Sequence, residues 1–114
     1  MGSISLFAIP KSKDDSSKTE DSKIAELIKR RRRQILVHSF IYYELNQNII
    51  SDAQWSAWAQ ELEELQSKYP DISDNTEFAS DFKDFDHSTG ANLRDAYNKP
   101  NIVTLAFRLL HYKE

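Results

Sequence analysis

Two tyrosines, a carboxylate and a tryptophan are the side chains of this 114-residue sequence best suited to chemistry. Tyr42 and Tyr43 are adjacent, and Asp52 and Trp55 follow after a short polar stretch. Aromatic faces suit a flat ring, above all a cationic one. A carboxylate accepts hydrogen bonds from an amide or a sugar hydroxyl. The same four residues also serve plain packing, with Asp52 complementing a helix dipole. The second conspicuous group is the basic run Lys29, Arg30, Arg31, Arg32 and Arg33. On a helix five consecutive residues wrap more than one turn, so only about three can follow one phosphate track. The run suits nucleic-acid contact, docking on an acidic protein surface, or simple solvation. Asp81, Asp84, Asp86 and His87 offer metal-ligating atoms. Their spacing matches no EF-hand pattern, and turn or cap acceptors are the expectation, with no metal. Ser88 beside His87 fits no catalytic triad. His38, one turn before Tyr42, is expected to be hydrogen-bonded and partly buried, and His111 to interact with the last helical turn.

These groups need helices to hold them. A first helix is expected over 22–46, capped by Asp21 or Ser22. Ile24, Leu27, Ile28, Ile35, Leu36, Phe40 and Tyr43 follow a rough helical period along it. The turn-prone Asn46-Gln47-Asn48 ends it. Ser51-Asp52-Ala53-Gln54 fits a capping box that opens a second helix. Trp55, Trp58, Leu62, Leu65 and Tyr69 then form one apolar stripe, with Glu61, Glu63 and Glu64 facing mostly solvent. Pro70 disfavours helix at Tyr69 and marks the end. A helical turn is expected over Thr76–Phe82, then a structured loop over residues 84–90. Phe78, Phe82 and Phe85 plug the core from this region, and Gly90 is free to take positive φ. Pro100 opens a third helix, with Ile102, Val103, Ala106, Phe107, Leu109 and Leu110 on its buried face. The expected architecture is all-α: a small three-helix bundle built on a long helical hairpin, with a structured loop between helices two and three.

Bulk properties narrow the classes. The length allows one domain with a small core. Residues 11–22 hold no apolar side chain and read as a flexible linker, so the expected division is a flexible segment over 1–21 and a single helical domain over 22–114. Residues 1–10 are expected to be disordered by default; ISLFAI within them is too short, and lacks the flanks, for a signal peptide. No apolar run approaches the roughly 20 residues of a membrane span. Without cysteine there are neither disulfides nor thiolate metal sites, and a cytoplasmic setting is expected. The net charge of −3 hides an asymmetry: residues 23–33 carry six Lys/Arg against Glu26, while residues 34–114 carry six against thirteen Asp/Glu. The sequence pI near 5.6 argues against a dedicated nucleic-acid binder.

The pattern H-S-F-I-Y-Y-E-L-N-x-N-x-I-S-D-A-x-W-x-x-W-x-x-E-L-x-x-L-x-x-x-Y-P, strongest over 35–72, resembles the small N-terminal domain of bacterial NAD-dependent DNA ligases. In that family the domain clasps the nicotinamide mononucleotide (NMN) half of NAD. The resemblance implies that Tyr42 and Trp55 flank the nicotinamide ring, that Tyr43 lies near the phosphate, and that Asp52 supplies the first carboxylate of the ligand shell. Trp55 replaces a tyrosine of the family, and Ser56 stands where the family has a second aspartate. The sequence contains no Lys-x-Asp-Gly nucleophile motif; in Lys83-Asp84-Phe85-Asp86, Phe85 stands where the motif has Asp and Asp86 where it has Gly.

Taken together, these features lead to the expectation of a non-catalytic accessory protein that resembles small ligase-related proteins of bacteriophages and acts by binding a host protein. The alternative is an NMN- or NAD-binding module that uses Tyr42, Tyr43, Asp52, Trp55 and Ser56. A third reading is a weak nucleic-acid binder that uses Lys29–Arg33. No enzymatic activity and no membrane contact are expected.

Overall fold

The computed structural model describes residues 16–88 and 90–113. Among the described residues every regular element is helical: α1 (Ser16–Leu45), α2 (Asp52–Lys68), α3 (Pro70–Asp74), a 3₁₀ turn (Ala91–Leu93), α4 (Arg94–Tyr97) and α5 (Pro100–Lys113). The long hairpin of α1 and α2 and the closing helix α5 form the expected all-α bundle. α1 starts six residues before the expected cap. Once a helix is nucleated by packing, each added polar residue costs little, so Ser16–Asp21 continue it without a core of their own. The expectations for residues 1–10 and for the start of the linker lie outside the described residues.

α1 is the element on which the others pack. Ile28, Ile35, Leu36, Phe40 and Ile41 are buried along it, and α2, α3, α4 and α5 all lie against it. The helix ends at Leu45 because Asn46 takes the left-handed conformation at φ 56°. Asparagine tolerates that region better than most residues. The Gln47 N–H then closes on the Ile41 carbonyl at 3.1 Å. Ser51 caps α2 as expected, its hydroxyl accepting from the Gln54 N–H at 3.0 Å. Ala59 and Leu62 form the fully buried part of the α2 stripe; Trp55, Trp58 and Leu65 pack around them half-buried.

Pro70 does more than end α2. It occupies the first turn of α3, where its missing N–H costs nothing. The sequence reading took the proline as a stop and missed the start. Beyond α3 the expected helical turn over Thr76–Phe82 is instead a run of turns, closed by bonds such as Phe82 N–H to Phe78 carbonyl at 3.1 Å. Phe78 itself sits at φ 70°, a costly region for a bulky residue. Its burial with Phe82 and Phe85 holds it there, and the three plug the core as expected. Leu93, Ala96 and Tyr97 complete the core from segments that had no expected element.

α5 buries Ile102 and Ala106, whereas Phe107, expected on the same face, is 51% exposed. The apolar stripe of this helix is narrower than its composition, and the Phe107 ring lies edge-on to Phe40 at the margin, 5.9 Å between centroids. Among the described residues no helix is long and apolar enough to cross a membrane.

Candidate functional site

The turn between α1 and α2 leaves a slot of about 290 Å³. The end of α1 supplies His38, Ser39, Tyr42 and Tyr43; the start of α2 supplies Asp52, Trp55 and Ser56; Ser88 and Gly90 reach it from the long loop. All five residues assigned to ligand binding from the sequence, Tyr42, Tyr43, Asp52, Trp55 and Ser56, therefore line one cavity. The helix geometry explains this. Asn46 turns the chain sharply, and the Ser51 cap starts α2 at once, so the two helix ends stay side by side.

The tyrosines are held by other rings. Tyr42 and Tyr43 meet edge-to-face with centroids 4.9 Å apart. Tyr43 lies nearly parallel to Tyr97, 6° between planes at 6.2 Å. Tyr97 is buried, and its hydroxyl donates to Glu44 Oε2 at 2.9 Å. Arg94 Nε stands 3.4 Å from the same oxygen. Burial, reinforced by the Glu44 bond, pushes the Tyr97 phenol up to about 12, so it remains a neutral donor at any physiological pH.

Deeper in, His38 packs its ring on Trp58 at 5.5 Å. Burial lowers its pKa below the ordinary 6.5, which favours the neutral imidazole. Ser39 is buried too, and its hydroxyl has no hydrogen-bond partner among the described residues. Gly90 closes over it. A methyl group on Gly90 would lie 2.5 Å from Ser39 Oγ and 3.2 Å from Trp55 Cζ2. The glycine has φ −104°, so it is needed for this close approach and not for the positive φ expected from sequence. Ser39, Ser88 and Gly90 were missed as lining residues. Nothing near them in sequence marks them; a lone glycine in a polar loop was the only signal.

The basic run is split up. Arg32 is buried, 1% exposed, inside the protein. It donates to Gln66 Oε1, to the Ser73, Thr76 and Glu77 carbonyls and to Ser73 Oγ, over 2.6–3.2 Å. Burial pulls its guanidinium down to about 10, against the favourable fields of Asp74 and Asp81, so it stays charged at neutral pH. Arg31 binds Glu61 and Gln34, each at 2.7 Å, and lies over Trp58. Arg33 pairs with Glu77 at 2.8 Å and Lys29 with Glu26 at 3.7 Å, while Arg30 is exposed. The five cations do not form one surface track, and Arg32 is removed from any contact with a partner because the core uses its donors.

The acidic loop is likewise engaged. Asp86 accepts from the Ser88 hydroxyl and from the Ser88 N–H at 2.7 Å, and these bonds hold its carboxyl below the usual range. His87 meets Glu63 through its N–H at 3.2 Å and its Nδ1 at 3.1 Å. Asp81 receives Lys99 Nζ at 3.3 Å. Among the described residues no group of three or more carboxylates and histidines is assembled to hold a metal ion.

The fold and the site are those of a small all-α domain with an aromatic-walled slot at the mouth of a helical hairpin and a carboxylate at the first turn of one helix. Residues 21–76 match the family described as DNA ligase-like, N-terminal NAD+-binding domain, and this part of the chain belongs to that family. The DNA ligase of Leptospira interrogans is 30% identical over 105 residues, covering 83% of this chain and 15% of that ligase. The DNA ligase of Pseudothermotoga lettingae is 44% identical over 54 residues, covering 44% of the chain and 8% of the ligase. That of Roseiflexus castenholzii is 42% identical over 41 residues, 36% of the chain and 6% of the ligase. The chain thus spans about a sixth or less of the length of these curated relatives. No solved structure matches it.

Proposed function

We propose that this chain is a nicotinamide-nucleotide-binding module, with NMN, or the NMN half of NAD, held in the slot between α1 and α2. The observation that carries the reading is that the five residues assigned from the family pattern line one slot. Its volume, about 290 Å³, is at the small end for organic ligands and suits one nucleotide half better than a dinucleotide. Tyr42 and Trp55 supply aromatic faces for a flat cationic ring. Asp52 accepts from the carboxamide or ribose hydroxyls. Ser56, a neutral side chain in the place of a second carboxylate, forfeits one charge-assisted bond.

No step of ligation is assigned to the chain. The Lys-x-Asp-Gly lysine that would carry adenylate is not in the sequence, and the activity of the whole relatives is not transferred to it. The role is therefore binding, in a cytoplasmic setting. Each ring face contributes on the order of 1 kcal/mol, which together with one carboxylate supports a Kd of about a millimolar for NMN. Isothermal titration with NMN tests this. Trp55→Ala should weaken binding about tenfold or abolish it. Absence of heat and of Trp fluorescence change for the wild type at several times that concentration would overturn the reading.

A second reading is an accessory protein that docks on a protein partner, a host protein in the case of a phage-encoded chain. It is favoured by the exposed aromatic side chains Tyr42, Tyr43 and Phe107, which lead through Phe40 and Tyr97 to the core. Nucleic-acid binding through Lys29–Arg33 is the weakest, since Arg32 is inside and Arg31 and Arg33 already pair with glutamates.

A further inference from the structure

The matched segment ends at residue 76, yet the slot does not. Its third wall comes from Ser88 and Gly90, and its outer tyrosine rests on Tyr97. Gly90 packs so tightly that a single added carbon would reach 2.5 Å from Ser39 Oγ, 3.3 Å from Ser39 Cβ and 3.2 Å from Trp55 Cζ2. The Gly90 backbone thus lies close against Ser39 and Trp55 on that side of the slot. The loop that carries Gly90 is tied to α2 by the two His87–Glu63 contacts and stiffened by the Asp86–Ser88 turn. On the other side of the slot, Tyr97 is fixed at both ends. Its hydroxyl is bonded to Glu44, and its ring is wedged between Tyr43 and Phe40. Tyr43 is 41% exposed, and the face it turns inward lies nearly parallel to the Tyr97 ring.

We propose that Gly90 and Tyr97 are positioning residues of the slot: Gly90 seats the loop against Ser39 and Trp55, and Tyr97 backs the Tyr43 ring. The ligand site is then a property of residues 38–97, and the segment that follows residue 76 preorganises it. Ligand affinity follows, because rings already held in place lose less freedom on binding. This rests on the nicotinamide reading for the identity of the ligand, but not for the geometry of the apo slot.

The test uses the full chain and two readouts. The first is the NMR signals of the Trp55 indole and the Tyr43 ring without ligand; the second is the Kd for NMN. Tyr97→Leu should move the Tyr43 ring signals and weaken NMN at least threefold. Tyr97→Phe, which keeps the ring and loses the hydroxyl, should restore most of both. Gly90→Ala should displace the Trp55 signal. Because it also crowds Ser39, it is paired with Ser39→Ala, which relieves the shortest contact while the pressure on Trp55 at 3.2 Å remains; the double variant should fold and still shift Trp55. Ile102→Val in α5, buried away from the slot lining, is the control for stability alone and should leave Tyr43, Trp55 and the Kd unchanged. Unmoved Tyr43 and Trp55 signals in Tyr97→Leu and in the double variant would overturn the inference. Moved signals in the variants, with no NMN binding by the wild type, would uphold the positioning roles and remove the nicotinamide reading.

Discussion

Arg32 shows how far one residue can depart from its neighbours in a run. Five cations in sequence look alike, and only the fold selects one for the interior. Its five donor bonds reach residues 34–45 positions away, on α2, at the end of α3 and in the turn after it. Truncation would strand the buried Ser73 carbonyl and the part-buried carbonyls of Thr76 and Glu77. Arg32→Ala should therefore cost about 3 kcal/mol or more, whereas Arg30→Ala, at an exposed site, should stay within about 0.5 kcal/mol. Urea denaturation of the two variants checks the contrast; equal, small losses would mean that Arg32 is solvated. Local sequence could not reveal this, because its partners have no fixed spacing from it. Tyr42, Tyr43, Asp52 and Trp55 were legible for the opposite reason. They fall within fourteen residues, on two helix ends joined by one turn, so short-range order already implies proximity.

Among the elements, the α1–α2 hairpin was readable from its Asn-rich turn and its S-x-x-Q cap, both of which act locally. α3 was not, since the proline that stops one helix by restricting Tyr69 also starts the next. The loop and α4 gave no period at all; their burial comes from Phe82, Phe85, Leu93 and Tyr97 meeting α1 from a distance. Where α1 meets α2, His38 gives a handle on the packing. Burial against Trp58 lowers its pKa below the unfolded value near 6.5. A depressed folded value means that the unfolded chain binds the proton more readily. The contribution is fully present above pH 6.5 and is lost as pH falls through the folded pKa. The urea midpoint of the wild type should drop between pH 7 and 5 by more than that of His38→Gln. Parallel pH profiles would show that His38 carries no such linkage.

At the scale of the whole molecule, the slot lies where the end of α1 and the start of α2 meet Ser88 and Gly90 of the long loop, with Tyr97 behind Tyr43. The two helix ends fall within the family match over residues 21–76, and the loop residues and Tyr97 follow it. The departures from the family at Trp55 and Ser56 leave the aromatic faces and remove a charge, which predicts a weak ligand site on a rigid frame. The most direct test is an NMR titration of the full chain with NMN, followed at every backbone amide and at both indoles. The account predicts saturable shifts with a Kd of about a millimolar, concentrated at residues 38–43 and 51–56, the Trp55 indole, Ser88 and Gly90, with none along Lys29, Arg30 and Arg33. No shifts at about 10 mM NMN, a concentration that should nearly saturate such a site, or shifts centred on the basic face of α1, would contradict it.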